Sequence, residues 1–273
     1  MNSANIDLPP NIALNLDYER YYQEAEKLYD QYQQNTPFPH TVIDGMFDNN
    51  LLQRIADECG EAFKDIEKNF YGSKGKHATS KRKYWGPYTS ALLQEFNSAE
   101  FLKFLELLTG IEGLIGDPYY EGGGIHETKK GGFLKVHTDF NYHKKLKLDR
   151  RINLLLYLNS DWKEEYGGNL ELWDTDMSSC QRKLLPVINR MVIFSTTDFS
   201  YHGHPEPLNC PDNRSRRSLA LYYYTNGRPA SEVKFSKSTK TNYQQRPGEV
   251  FEGRVKKSLG KRLRKKIGKL FKK

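Results

Sequence analysis

Cysteine is scarce, at three residues (Cys59, Cys180 and Cys210) in a chain of 273, and their irregular spacing offers no disulfide framework. Long apolar runs are missing as well. Nothing approaches the roughly 18 consecutive apolar residues a spanning helix requires, so a helical transmembrane protein is excluded. The opening MNSANIDLPPNIALNL has no charged stretch followed by an apolar block and is read without a signal peptide. The expected compartment is a reducing cytoplasm. Low-complexity segments and internal repeats are also lacking. What is present is a folding composition: 37% hydrophobic, 13% aromatic and 28% charged residues, with 18 Tyr and 14 Phe, too apolar for a chain that stays disordered. The length suits one large domain or two small ones.

The formal charge of +8 is unevenly placed. Residues 254–273 (RVKKSLGKRLRKKIGKLFKK) hold eleven Lys or Arg and no acid, which leaves −3 on the 253 residues before them. Basicity belongs to the tail. Within it Val255, Leu259, Leu263, Ile267, Leu270 and Phe271 draw a narrow apolar stripe on a cationic helix. Peripheral contact with an anionic membrane surface, or with an acidic partner, is the expectation. Nucleic-acid binding would need no stripe and is disfavoured.

Residues 17–34 place tyrosines and leucine at helical spacing, and Asp48 precedes a second helical pattern carrying Leu51, Leu52, Ile55, Ala56 and Cys59. A third helix is expected from Asn97, with Glu100 as its capping-box partner, to a stop at Gly110. HTVIDGMF between the first two alternates like a strand. From about 115 to 225 the pattern becomes short strands separated by Gly, Pro, Asn and Asp clusters, which predicts helices leading into an antiparallel sandwich or jelly roll. The domain organisation expected is a helical extension over 1–36, a main domain over 37–228 with its β core at about 115–226, a surface return or linker over 229–253, and the cationic tail over 254–273. SKGKHATSKRK and HKKLKLDRR read as solvated basic loops.

In GGFLKVHTDFNYH, His137 and Asp139 stand two apart at the end of a predicted strand, so both side chains share a face. RMVIFSTTDFSYHGHPEP supplies His202 after another strand, with His204 as a rival two residues on. Two imidazoles and one carboxylate on one face form the facial triad that holds non-haem Fe(II) and leaves positions open for exchangeable ligands. The strand RRSLALYYY begins with Arg217, which alternation groups with Leu219, Leu221 and Tyr223. A guanidinium aimed into an apolar interior requires an anion, and its fork matches a carboxylate; the distal carboxylate of 2-oxoglutarate fits. Arg216 and Arg214 compete for this role, with poorer parity and position. In RINLLLYL, Ile152, Leu154, Leu156 and Leu158 form one apolar face, and Tyr157, on the other, is placed to donate its hydroxyl to the same carboxylate. His126, His143, His77 and His40 read as ordinary polar residues, although His126 and His143 flank the site.

The order HTD, LLLYLNSDW, YGGNLELW, a strand ending IFS eight residues before a His, and RSLALYYYT resembles the prolyl 4-hydroxylase and hypoxia-type prolyl hydroxylase branch of the Fe(II)- and 2-oxoglutarate-dependent dioxygenases, over about residues 115–226. The resemblance implies a mainly β fold with supporting helices, a double-stranded β-helix of the jelly-roll, cupin-like kind. It implies iron at His137, Asp139 and His202, and cosubstrate contacts at Arg217 and Tyr157. It further implies oxygen as oxidant, ascorbate as an aid to turnover, and hydroxylation of an aliphatic carbon coupled to decarboxylation of 2-oxoglutarate to succinate. Thr128 stands nine residues before the first His and Leu134 three before it, where many relatives carry Tyr at the former place, so the C1 end of the cosubstrate is expected to be held differently. The expected substrate is a protein, peptide or small molecule; an acidic one would suit Lys144, Lys145 and Lys147 in the loop after HTD. Two other readings use the same residues: a jelly roll that binds a ligand without catalysis, and a membrane-surface protein acting through its basic tail.

Overall fold

The computed structural model describes residues 12–62, 72–233 and 237–249. The cationic stretch 254–273 lies outside the described residues. Four helices precede or interrupt the early strands. Helix α1 (Tyr18–Gln34) begins where the Asp17 carboxylate accepts from Arg20 N, and it buries Tyr21, Ala25 and Tyr32. After strand β1 (His40–Asp44), helix α2 (Asn49–Glu61) is capped by Asp48, which accepts from Asn50 N and Leu51 N. Strand β2 (Ser73–Thr79) leads to α3 (Pro87–Glu95), started by a proline in its first turn, and α4 (Ala99–Thr109). The cap of α4 is Ser98, whose hydroxyl accepts from Phe101 N, and not Asn97. Asn97 instead faces the loop at Asp117, whose N–H donates to its Oδ1. Gly110 ends α4 in the left-handed conformation (φ 65°).

The remaining strands are β3 (Gly124–Thr138), β4 (Tyr142–His143), β5 (Leu148–Tyr157), β6 (Leu170–Trp173), β7 (Cys180–Leu184), β8 (Arg190–Ser195), β9 (His202–His204), β10 (Ser215–Thr225) and β11 (Asn242–Tyr243). They hydrogen-bond in the order β1-β8-β5-β10-β3-β9-β6-β7, with β2 and β11 added on β3 and β4 on β5. Every pairing is antiparallel. Strand β3 joins both walls of the curled sheet: its first half pairs with β10, its second with β9. This is the double-stranded β-helix expected.

One face of the β8-β5-β10 wall presents Ile193, Ile152, Leu154, Leu156, Leu219, Leu221 and Tyr223 to the helices, and this forms the main core together with Tyr21, Leu52, Ile55, Leu92, Phe96, Phe101 and Phe104. Helix α1 is therefore built into the domain through Tyr21, Ala25 and Tyr32. In β5 and β10 the more apolar face turns outward to the helices, and the more polar face turns into the curl. Three cysteines are free, two of them buried. No helix among the described residues is long and apolar enough to cross a membrane. Residues 237–249 return across the sheet: β11 pairs with Thr138 and His137 of β3, and Gln244 N donates to Val136 O.

Candidate metal centre and its cavity

His137, Asp139 and His202 converge from β3, the turn after it, and β9, with one ligand-type atom from each lying within 4.8 Å of the others. A β-bulge makes this convergence possible. Between Leu134 and His137 the register against β9 shifts, so that Leu134 faces His204 and His137 faces His202. Upstream, the even-numbered His126, Thr128 and Leu134 line the cavity; downstream, the odd-numbered His137 and Asp139 do. One extra residue has switched the face. Gly203 makes room for the crossing, because a Cβ there would lie 2.8 Å from Leu134 O.

Both imidazoles are held in one tautomer. His137 Nδ1 donates to Lys135 O (2.8 Å) and His202 Nδ1 to Ser200 O (2.9 Å), which leaves each Nε2 lone pair free. These Nε2 atoms point at Asp139, 3.6 Å from Oδ1 for His137 and 3.4 Å from Oδ2 for His202. Burial lowers the pKa of His137, and the neighbouring His202 lowers it further, against the pull of Asp139. Asp139 Oδ2 accepts from Arg150 Nη2 (2.8 Å) and Asn153 Nδ2 (2.9 Å). Burial alone would raise the Asp139 pKa; Arg150, with the two histidines, outweighs it and holds the carboxyl well below the usual range. Arg150 is itself fully buried, its guanidinium 3.4 Å from the Tyr222 ring centre and 4.6 Å from that of Phe140. Two imidazoles with inward-facing Nε2 atoms and an ionised carboxylate, each oriented by a second hydrogen bond, fit a ferrous ion. His204 shares the cavity but lies outside this cluster.

The expectation for Arg217 is overturned. Its Nε donates to Glu127 Oε1 (3.0 Å) and its Nη1 to Ala56 O at the back of α2 (3.0 Å), so it sits on the helix side of the sheet. Arg216 is the residue inside. It is 6% exposed, donates from Nε to Gly168 O (2.7 Å) and from Nη2 to the Tyr157 hydroxyl (3.1 Å), and lines the cavity with the three cluster residues. The reason is register: Ser218 lies opposite Tyr157, so the even residues of β10 share the Tyr157 face. Leu219, Leu221 and Tyr223 mark the helix-facing side, and Arg217 goes with them. Tyr157 is fully buried and stands against Arg216.

The cavity holds further residues that sequence reasoning left aside. SKGKHATSKRK is not a solvated loop throughout: its first part is β2, and Lys76 lines the cavity. His126, read as an ordinary polar residue, lines it as well, its Nε2 donating to Gly122 O (2.9 Å). Asn153, Ser218 and Tyr222 complete the polar lining, and Leu134, Leu155 and Leu170 the apolar one. His143 is buried elsewhere, its Nε2 3.3 Å from Glu121 and 3.7 Å from Asp117. At the open end a second hollow, sharing Asp139, is bordered by Thr138, Asp198, Lys237, Lys240 and Asn242.

Residues 123–224 match the model of a family described as the 2OG-Fe(II) oxygenase superfamily. Mouse prolyl 3-hydroxylase OGFOD1 is 34% identical over 79 residues, which are 28% of this chain and only 14% of that protein. Among solved structures, a prolyl 4-hydroxylase from Phytophthora capsici is similar with a TM-score of 0.53 at 20% identity, over 79% of this chain and 68% of that one. The Trichoplax adhaerens prolyl hydroxylase, solved with a peptide fragment of the hypoxia inducible factor oxygen degradation domain, gives 0.53 at 15% identity, over 76% and 91%. These likenesses fix the fold.

Proposed function

We propose that the chain, whose residues 123–224 match the model of the 2OG-Fe(II) oxygenase superfamily, is a prolyl-hydroxylase-like dioxygenase that hydroxylates an aliphatic carbon of a protein or peptide while 2-oxoglutarate is decarboxylated to succinate. The observation that carries the reading is the His137, Asp139 and His202 cluster in one cavity with Arg216, whose Nη2 donates to the Tyr157 hydroxyl. When bound at the cluster, Fe(II) supplies activation of oxygen, with ascorbate as the reductant that keeps the ion ferrous. The protein residues do the rest. Arg150 and Asn153 keep Asp139 ionised and aligned, and the two backbone carbonyls hold Nδ1 of each imidazole so that Nε2 turns inward. Arg216, with the Tyr157 hydroxyl beside it, offers a fork for the distal carboxylate of 2-oxoglutarate. Leu134, Leu155 and Leu170 keep that ligand out of bulk water, which strengthens its pairing with the guanidinium. The hollow bordered by Asp198, Lys237 and Lys240 adjoins Asp139 and is where a substrate would approach.

Incubation with Fe(II), ascorbate, 2-oxoglutarate and a proline-containing peptide pool, read by succinate release and by mass spectrometry, tests the reading. The expected result is a gain of one oxygen atom on a peptide, lost in His137→Ala. Failure of the intact protein to bind 2-oxoglutarate would end the proposal.

A further inference from the structure

We propose that Lys76 is a second cation for the cosubstrate, closing with Arg216 a clamp on the distal carboxylate of 2-oxoglutarate. The inference rests on the function proposed above and deepens it. Lys76 precedes the segment that matches the superfamily model, residues 123–224.

Three adjacent strands build the clamp. Thr128 on β3 lies opposite Arg216 on β10 along one edge and opposite Lys76 on β2 along the other. The three side chains form one cross-strand row, and all three line the cavity. Directly opposed residues on antiparallel strands have Cβ atoms about 4.5–5.5 Å apart, so the two cationic side chains leave the sheet on the order of 10 Å from each other. Their stems are long enough for both heads to meet a carboxylate between them, with the Thr128 hydroxyl below. The metal cluster lies past the bulge at Leu134 on the same strand, at the end of the cavity where the other terminus of the dicarboxylate belongs.

Charge makes the same case. Among the described residues the Lys76 ammonium has no hydrogen bond and no ion pair, although a second cation, Arg216, stands in the same cavity. Lys76 is half-buried, and a charge withdrawn from water without a partner is costly and is relieved by a counter-anion. Burial pulls Lys76 down to about 8, and Arg216 and Arg150 add to this against the opposing pull of Asp139. His204 supports the picture independently: it is 3% exposed, lines the cavity, and its Nδ1 has no hydrogen-bond partner.

Calorimetric titration of the Zn(II)-loaded full chain with 2-oxoglutarate, and separately with 2-oxovalerate, which lacks the distal carboxylate, tests the clamp. Lys76→Met is expected to weaken 2-oxoglutarate by roughly ten- to hundredfold, the range for losing one charge-assisted contact, and to leave 2-oxovalerate within about twofold. Lys76→Arg, which keeps the charge, is expected to recover most of the loss, and circular dichroism of both variants reports that they fold. Unchanged 2-oxoglutarate binding in Lys76→Met, or an equal loss for both keto acids, would overturn the clamp and leave the dioxygenase reading intact. So would a defect confined to the KM of the peptide. An intact protein that binds neither keto acid would instead remove the dioxygenase reading itself.

Discussion

Replacing Arg216 with methionine removes the guanidinium that reaches Gly168 O and the Tyr157 hydroxyl inside the cavity, and the KM for 2-oxoglutarate is expected to rise by roughly ten- to hundredfold. Arg217→Met should leave that KM within about twofold and lower the melting temperature, because Glu127, almost fully buried, loses its cation. Steady-state kinetics on the two variants, with thermal melts, checks both; a KM effect in Arg217→Met alone would reverse the assignment. A third substitution, Arg150→Met, leaves Asp139 without its buried partner and is expected to cost about 3–5 kcal/mol of stability and to weaken metal binding, read by denaturation and by Mn(II) titration. The convergence of His137, Asp139 and His202 was legible because their spacing and alternation are local facts. The choice between Arg216 and Arg217 was not. It depends on which face of β10 meets the helices, and the apolar Leu219, Leu221 and Tyr223 invite the reading that they face the curl when they face outward.

At the scale of elements, β9 crosses the bulge in β3 at Gly203, where an added Cβ would meet Leu134 O at 2.8 Å and Lys135 O at 3.0 Å. Gly203→Ala is therefore expected to push His202 away from His137 and to weaken metal binding by more than tenfold, a loss of about 1.4 kcal/mol or more, while the helical core melts near its usual temperature. Equal metal affinity in the variant would show that the strand yields without moving its histidine. The helices were read well where caps are plain, as at Asp17 and Asp48. Helix α3 escaped notice because its nine residues carry weak periodicity, and β2 because the alternation in Ser73–Thr79 is of polar with charged residues, with no apolar face to announce burial. The bulge was also invisible: strict alternation from His126 would have put His137 on the opposite side. Residues 229–253 read as a surface return or a linker, and the pairing of Asn242 and Tyr243 with Thr138 and His137 was out of reach because it depends on partners a hundred residues away in sequence.

For the molecule as a whole, the cavity makes stability depend on pH. Burial lowers the pKa of His204 well below its ordinary value and that of His126 to about 3, with Arg216 and Lys76 adding to both, and burial also lowers His40 and His137. The unfolded chain takes up protons near pH 6.5, where the folded one does not. Stability is thus fully present above about 6.5 and falls as the pH drops below it, by about 1.4 kcal/mol per pH unit for each histidine kept neutral. Lys76, at about 8, is charged throughout this window and contributes no slope. Denaturant unfolding of the metal-free protein at pH 7 and pH 5 measures the effect, and His204→Gln is expected to shallow it; a protein equally stable at both values contradicts the account. Strand β10 gives the fold a last property. It is gripped by β3 on one edge and β5 on the other, and sliding it by a single residue would exchange the inward guanidinium for the outward one. No halfway setting exists. Damage along this strand should accordingly yield a population split between fully competent and dead molecules, and active-site titration would count the two where bulk rates see only an average.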